Sequence, residues 1–543
     1  MYRNKTARQK DFAVSPRADI PRSKFAMRQT RKQAFNASEL IPIMVEEVLP
    51  GDVWQHKENI MARFATPIAP AVDDIDLETF YFFVPNRIIW ESWEDFITGS
   101  DDELVVPTIT PFAGTRQVGL NSVFDHMGLL PQNYTDPFAV NVLPIWAYFT
   151  IWNEWFRDQN LQAEWTWPDT WTTANSNTIR QNGTDWGQQC LRANKRSDYF
   201  TRSLPWPQKG DPIALPLGDT APVIPNPVDS VPNFTIGANI YSPGGNGAST
   251  TAIWLGAGTP AASAAIWQDS GLVADLSAAT AATINAIRLA FQTQKLLERD
   301  ARGGSRYIEQ TLSHFGVRTP DFRVQRPEYL GGSKIPVNVN PIANTTDVQA
   351  LGSLESSGTP GSLAAEMHAG GSKKSFTYAA TEHGYIIGLA VVRATPTYQQ
   401  GTRRHWRRTT RLDYYFPVFS TLGEQAVATQ EIYQPASNAP ANATWGYQER
   451  HAEYRYTPNE ITGVLRSTAP QPLDWWHYSE EFGSEPALNA AFITDKTQET
   501  LARSLAAYPT ETWSAQIIMD ILHENNVARM MPTYGVPGLI DHF

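Results

Sequence analysis

The sequence predicts a mainly β fold, a body of strands carrying long loop and helical insertions, and three observations lead there. Aromatic residues form 11% of the 543 residues and include 18 Trp, the composition of large buried or interface surfaces. The 39 Pro and 35 Gly demand many turns and long connections, which suit an all-β body better than a helical bundle. Alternating and apolar strand-like runs recur near both ends of the chain.

The elements follow in order. Residues 40–48 place Ile41, Ile43 and Val45 on one side and end in the turn Leu49, Pro50, Gly51, Asp52. Residues 53–64 and 76–84 are two further strands, the second reading DLETFYFFV. A short amphipathic helix runs from Pro85 through Ile89, Trp93 and Phe96 and closes near Gly99. Pro144 leads a helix whose Trp146, Phe149, Trp152 and Phe156 recur at helical spacing, a pattern of core or interface rather than of a sugar platform. Residues 230–268 contain no Asp, Glu, Lys, Arg or His. Such a stretch cannot build a private core and is too apolar for a solvated linker, so about 205–275 reads as a projecting excursion that packs against copies of itself. A helix over 277–302 carries Ile284, Ile287 and Phe291 on one face and stops at Gly303 and Gly304. Strands resume over 384–394, 412–419 and 446–456.

Charge is distributed unevenly. Residues 1–34 carry ten Lys/Arg against two Asp, or +8, which leaves −19 for the rest of a chain whose net charge is −11. A basic arm on an acidic body suits contact with a polyanion, and a solvated tail is the plain alternative. Cys190 is the only cysteine, so no intrachain disulfide forms and a reducing compartment is expected. The first residues are charged and lack an apolar core, and no apolar stretch reaches membrane-spanning length, so a soluble protein with no membrane partner is expected.

Chemical motifs are few. Residues 256–261 match G-x-G-x-x-A, but neither a following helix nor a βαβ unit surrounds them, so no cofactor is expected. The ten His are scattered without metal-ligand spacing, and Asp73, Asp74 and Asp76 read as a solvated turn rather than a calcium site, so no metal is expected. No nucleophile elbow or phosphate loop occurs, so no catalytic residue is assigned. Arg403, Arg404, Trp406, Arg407, Arg408 and Arg411 form a second basic cluster. Two readings of it stand: binding of phosphates with the indole stacked on a base, or pairing with carboxylates of a neighbouring subunit.

Residues 298–332 read ERDARGGSRYIEQTLSHFGVRTPDFRVQRPEYLGG. With VPNRIIW at 84–90, EHGYIIGLAVVRATPTYQQG at 382–401, GYQERHAEYRY at 446–456 and the terminal YGVPGLIDHF, the chain resembles the major capsid proteins of microviruses, gokushovirus branch. The resemblance implies a viral jelly roll, an eight-stranded antiparallel β-sandwich, with large insertions. It implies an icosahedral shell of about 60 copies around circular single-stranded DNA, a small basic DNA-packaging protein as partner, and a threefold protrusion that meets a host cell-surface receptor. The protein is then expected in the virion, after assembly in the bacterial host cytoplasm.

The expected division is a basic arm at 1–35, first jelly-roll strands at 36–100, insertions at 101–375 including the protrusion at about 205–275, and remaining strands with a C-terminal segment at 376–543. Arg3, Lys5, Arg8, Lys10, Arg17, Arg403, Arg404, Trp406, Arg407 and Arg408 are the candidate DNA-facing residues. Tyr241, Asn246, Trp254 and Trp267 are the candidate protrusion residues. A secreted β-rich polysaccharide hydrolase and a monomeric nucleic-acid-binding module are the alternatives, the first suggested by acidity, Trp abundance and paired carboxylates.

Overall fold

A computed structural model describes residues 22–99, 104–109, 120–131, 140–167, 180–181, 184–185, 189–211, 223–225, 233–236, 239–241, 266–269, 272–274, 284–303, 307–315, 325–343, 363–435, 443–506 and 515–534. The chain forms two compact units, one of residues 1–207 with 319–543 and one of residues 208–318.

The first unit is built on nine strands: β1 Ser23–Phe35, β2 Ile41–Val48, β3 Val53–Phe64, β4 Ile75–Pro85, β5 Glu328–Pro336, β6 Asn338–Ala343, β7 Leu363–Ala379, β8 Gly384–Ala394 and β9 Ile517–Arg529. They pair antiparallel as two sheets ordered β1-β9-β3-β7-β6 and β5-β4-β8-β2. With β6 set aside as an added edge hairpin, successive strands cross between the two sheets at every step except β4 to β5, which are neighbours in one sheet, and this is the connectivity of a jelly roll. Residues 86–327 join β4 to β5, and residues 395–516 join β8 to β9, so both large insertions hang on one sandwich.

Period-two patterning makes the sandwich. β3 buries Trp54, His56, Glu58, Ile60, Ala62 and Phe64 and exposes the residues between them. β4 is buried at every position but the half-buried Phe80 because both of its faces are covered. Tyr81 and Phe83 face the other sheet, while Phe80 and Phe82 meet Phe156 and Trp155, with ring centroids 5.3 and 5.5 Å apart. That cover comes from helix α1, Leu143–Ile151, which is apolar on all sides, and from the π-helical turn Trp152–Phe156 that continues it. The aromatic run beginning at Trp146 is therefore core.

Four sequence expectations change. The arm expected over 1–35 becomes strand β1 from Ser23 onward, because the alternation of Phe25, Met27 and Phe35 with Lys24, Arg28 and Lys32 fits a half-buried strand beside β9. The insertions expected over 101–375 contain β5, β6 and β7, where paired glycines in β5 and β7, paired lysines in β7 and the Asn and Pro of β6 hide the apolar rhythm. Residues 412–419 form no strand. A capping box at Thr410 and Asp413 and a proline at the start of Pro417–Thr421 turn this segment into two 3-10 helices, so local turn chemistry overrides aromatic β propensity. The strand expected over 446–456 runs Thr444–Glu449 and stops before His451, whose φ is 58°.

In the second unit, helices α2 Ile284–Gly303 and α3 Tyr307–Phe315 follow one another, and His314 Nε2 lies 2.6 Å from Asp300 Oδ1. A three-stranded sheet sets Asn239–Tyr241 and Ile266–Asp269 on either side of Asn233–Ile236. The residues before Ile284 that were expected to open α2, and the Gly-rich match at 256–261, lie outside the described residues.

Candidate nucleic-acid interface

The 403–411 cluster lies on the 395–516 insertion. Thr397–Tyr398 pairs with Asn459–Glu460, and Gly401 then passes against the backbone of Glu431, where an added Cβ would stand 2.0 Å from its carbonyl oxygen. The 3-10 turn Arg404–Arg407 follows. A small core of Tyr199, Phe200, Tyr398, Val427, Ile432 and Trp445 supports this region.

Within this frame Arg403, Arg404 and Arg408 meet carboxylates of their own chain. Arg403 pairs with Glu460. Arg404 donates to the Ala426 carbonyl at 2.8 Å and reaches Glu431 at 3.2 Å and Glu453 at 3.8 Å. Arg408 donates to Glu453 at 2.8 Å and lies 4.5 Å from the Tyr454 ring centroid. The two acids respond in opposite ways. Burial dominates at Glu431 and raises its carboxyl despite Arg404. Burial also opposes ionisation of Glu453, but its backbone bond, Gln425 and the guanidinium groups outweigh it and hold that carboxyl below its usual range. Tyr199 donates to Glu431 at 3.1 Å.

These groups enclose a cavity of about 200 Å³ with Phe200, Tyr398, Tyr454 and Tyr456 in its walls. Outside it Trp406 is 77% exposed with His405 tilted against it, and Leu412, Tyr414, Tyr415 and Val418 in the segment that follows are exposed as well. The surface combines ion-paired arginines with uncovered aromatic rings. Such a surface offers stacking, and the net cationic charge that a phosphate contact needs is reduced by Glu431, Glu453 and Glu460. Sequence reading found the arginines but not these acids, which lie 20 to 57 residues away in the chain.

Of the other candidates, Arg3, Lys5, Arg8, Lys10 and Arg17 lie outside the described residues, as do Asn246 and Trp254. Tyr241 and Trp267 both register beside Phe234, from opposite sides of the small sheet. The arm's later cations are in place on β1: Arg28 pairs with Glu524, Lys32 reaches Asp520 at 3.5 Å, and at the entrance Arg22 donates to the Gly51 carbonyl at 2.7 Å. Among the described residues no group of three His, Cys, Asp or Glu is placed to hold a metal, and no helix is long and apolar enough to cross a membrane.

The sequence model of a family described as "Capsid protein (F protein)" matches residues 13–539. Capsid protein VP1 of Bdellovibrio phage phiMH2K is 39% identical over 552 residues, covering 98% of each chain. The capsid proteins VP1 of Chlamydia phage 1 and Spiroplasma virus 4 are each 35% identical, covering 97% and 98% of both chains respectively.

Proposed function

The chain belongs to the phage capsid protein (F protein) family and is a structural capsid protein rather than an enzyme, and from that premise we propose that about 60 copies close into an icosahedral shell around circular single-stranded DNA. The observation that carries this reading is the family match along nearly the whole chain, on a sandwich with jelly-roll connectivity. In this shell the basic arm reaches the genome first, and the 403–408 segment adds Trp406 as a stacking surface. The 205–275 excursion gathers at the threefold axes and meets the host receptor, which the charge-free stretch at 230–268 within it supports. Assembly takes place in the bacterial cytoplasm.

Charge supports one more partner. About 60 copies of residues 1–34, the arm together with β1, supply roughly 480 positive charges at +8 each, against roughly 1,140 negative charges on the rest of the chains. A genome encoding even this one chain exceeds roughly 1,600 phosphates, so the arms cannot neutralise it. A small Lys/Arg-rich packaging protein on the inner face supplies the remainder. Negative-stain images of the purified protein should show closed shells, and infectious particles should contain a short, strongly basic polypeptide in near-stoichiometric amount. A monomer at all concentrations would refute the shell, and full particles made of this chain alone would refute the basic partner. Shortening 205–275 to a tight turn should leave shells intact and abolish adsorption.

A further inference from the structure

We infer that the outward face of the five-stranded sheet is a phosphate-binding surface for the packaged strand, an inference that rests on the genome-enclosing reading above. The four-stranded sheet has its outward face covered by α1 and the turn that follows it, whereas the outward positions of the five-stranded sheet stay open to solvent.

Those positions are charged in a biased way. Lys24, Arg28 and Lys32 on β1, Lys57 and Arg63 on β3 and Lys374 on β7 face out, against Asp520 and Glu524 on β9 and Glu366 on β7. Six cations meet three acids on a chain whose net charge is −11. The register concentrates them. Arg28, Glu524, Lys57 and Lys374 stand side by side across four strands, so the single carboxylate of Glu524 serves Arg28 and, at 3.6 Å, Lys57. Lys374 stands opposite Lys57 itself, a like-charge pair that weakens the sheet unless an external anion is present. Lys24, Arg63 and Lys374 have no acidic partner among the described residues. Neighbouring strands lie about 4.8 Å apart and alternate residues about 6.7 Å apart, so the cations form a shallow lattice rather than a single point site.

Two features favour a nucleic-acid strand over an acidic protein surface. Six further Lys/Arg stand between residues 1 and 22, immediately ahead of β1 in the sequence, so this sheet edge is the part of the body joined to the most basic stretch of the chain. The centres of subunit interfaces are depleted of charge, and this face is rich in it.

The test compares particles carrying Lys57→Gln, Arg63→Gln and Lys374→Gln together with unmodified particles and with particles lacking residues 1–20. All three side chains are exposed, so shells should close at normal yield. DNA should leave the triple variant at lower salt, with the slope of log K against log salt reduced by about 2, because each of the three cations neutralises a single-strand phosphate and so contributes roughly 0.7. Ultraviolet crosslinks in unmodified particles should map to peptides of β3 and β7. An unchanged salt slope, with crosslinks confined to the arm or to 403–408, would overturn this inference and leave the genome reading standing. Failure of the triple variant to close shells, with DNA binding by the unassembled chain unchanged, would make the face a subunit contact instead. Unmodified shells that never carry DNA would overturn both readings.

Discussion

Glu58 and three histidines lie where an apolar core would place leucines. Glu58 accepts from Tyr81 at 2.6 Å and from Thr79 at 3.1 Å across the sandwich, and burial followed by Glu58 itself pushes the Tyr81 hydroxyl well above its usual range, so it stays a donor. His56 bonds Asn525 at 2.6 Å, His523 donates to the Ile43 carbonyl at 3.0 Å, and the two rings lie 5.3 Å apart. Burial pushes His523 down to about 3 and His126 to about 4, and lowers His56 as well. All three are therefore neutral in the fold, while the unfolded chain takes up their protons below about pH 6.5. Stability is complete above that pH and is lost as pH falls from about 6.5 toward 4, by about 3 kcal/mol each for His126 and His523. Melting temperatures measured across that window should fall, and they should fall less in the double variant His126→Gln, His523→Gln; equal slopes would show that carboxylates alone carry the acid sensitivity. Burial also raises the Cys190 thiol, which keeps it protonated and inert. Cys190→Ser should give the same particle yield with and without oxidant, measured by sedimentation.

At the scale of elements, β9 ties the molecule together. It lies between β1 and β3, so the last described strand completes a sheet begun by the first. A chain ending at residue 516 should fail to fold, which circular dichroism and solubility would report. Gly332 on β5 marks a second constraint: a Cβ there would stand 1.9 Å from the Thr79 carbonyl oxygen. Gly332→Ala should cost about 3 kcal/mol or more, as overpacking against backbone does. Gly483→Ala, with nothing within 4 Å of the added carbon, is the matched control and should be near neutral in the same denaturant titration. Strands β2, β3, β4 and β8 were legible because their apolar periodicity is strong. β1, β7 and β9 were missed because one face of each is charged or glycine-rich, so their identity as strands comes from partners distant in sequence.

At the scale of the whole molecule, two insertions ride on a sandwich whose partner strands are far apart in the chain, so most strand pairings are non-local and folding should be slow. Removing residues 1–20 leaves β1 and its pairing with β9 complete. Such shells should therefore assemble, retain DNA less well and lose more of it at high salt than at low, as a filter-retention assay across salt would show. Loss of assembly in that variant would mean that the arm is architectural.

The β class, the family, the basic composition of residues 1–34 and the arginine cluster are legible in the chain itself, because periodicity, composition and ordered motifs are properties of neighbouring residues. Tertiary structure alone decided that Arg403, Arg404 and Arg408 spend their charge on Glu460, Glu431 and Glu453. It alone decided, too, that Lys57, Lys374 and Arg28 share one face. Strand register fixes which charges meet, and register joins residues hundreds of positions apart that no local pattern relates.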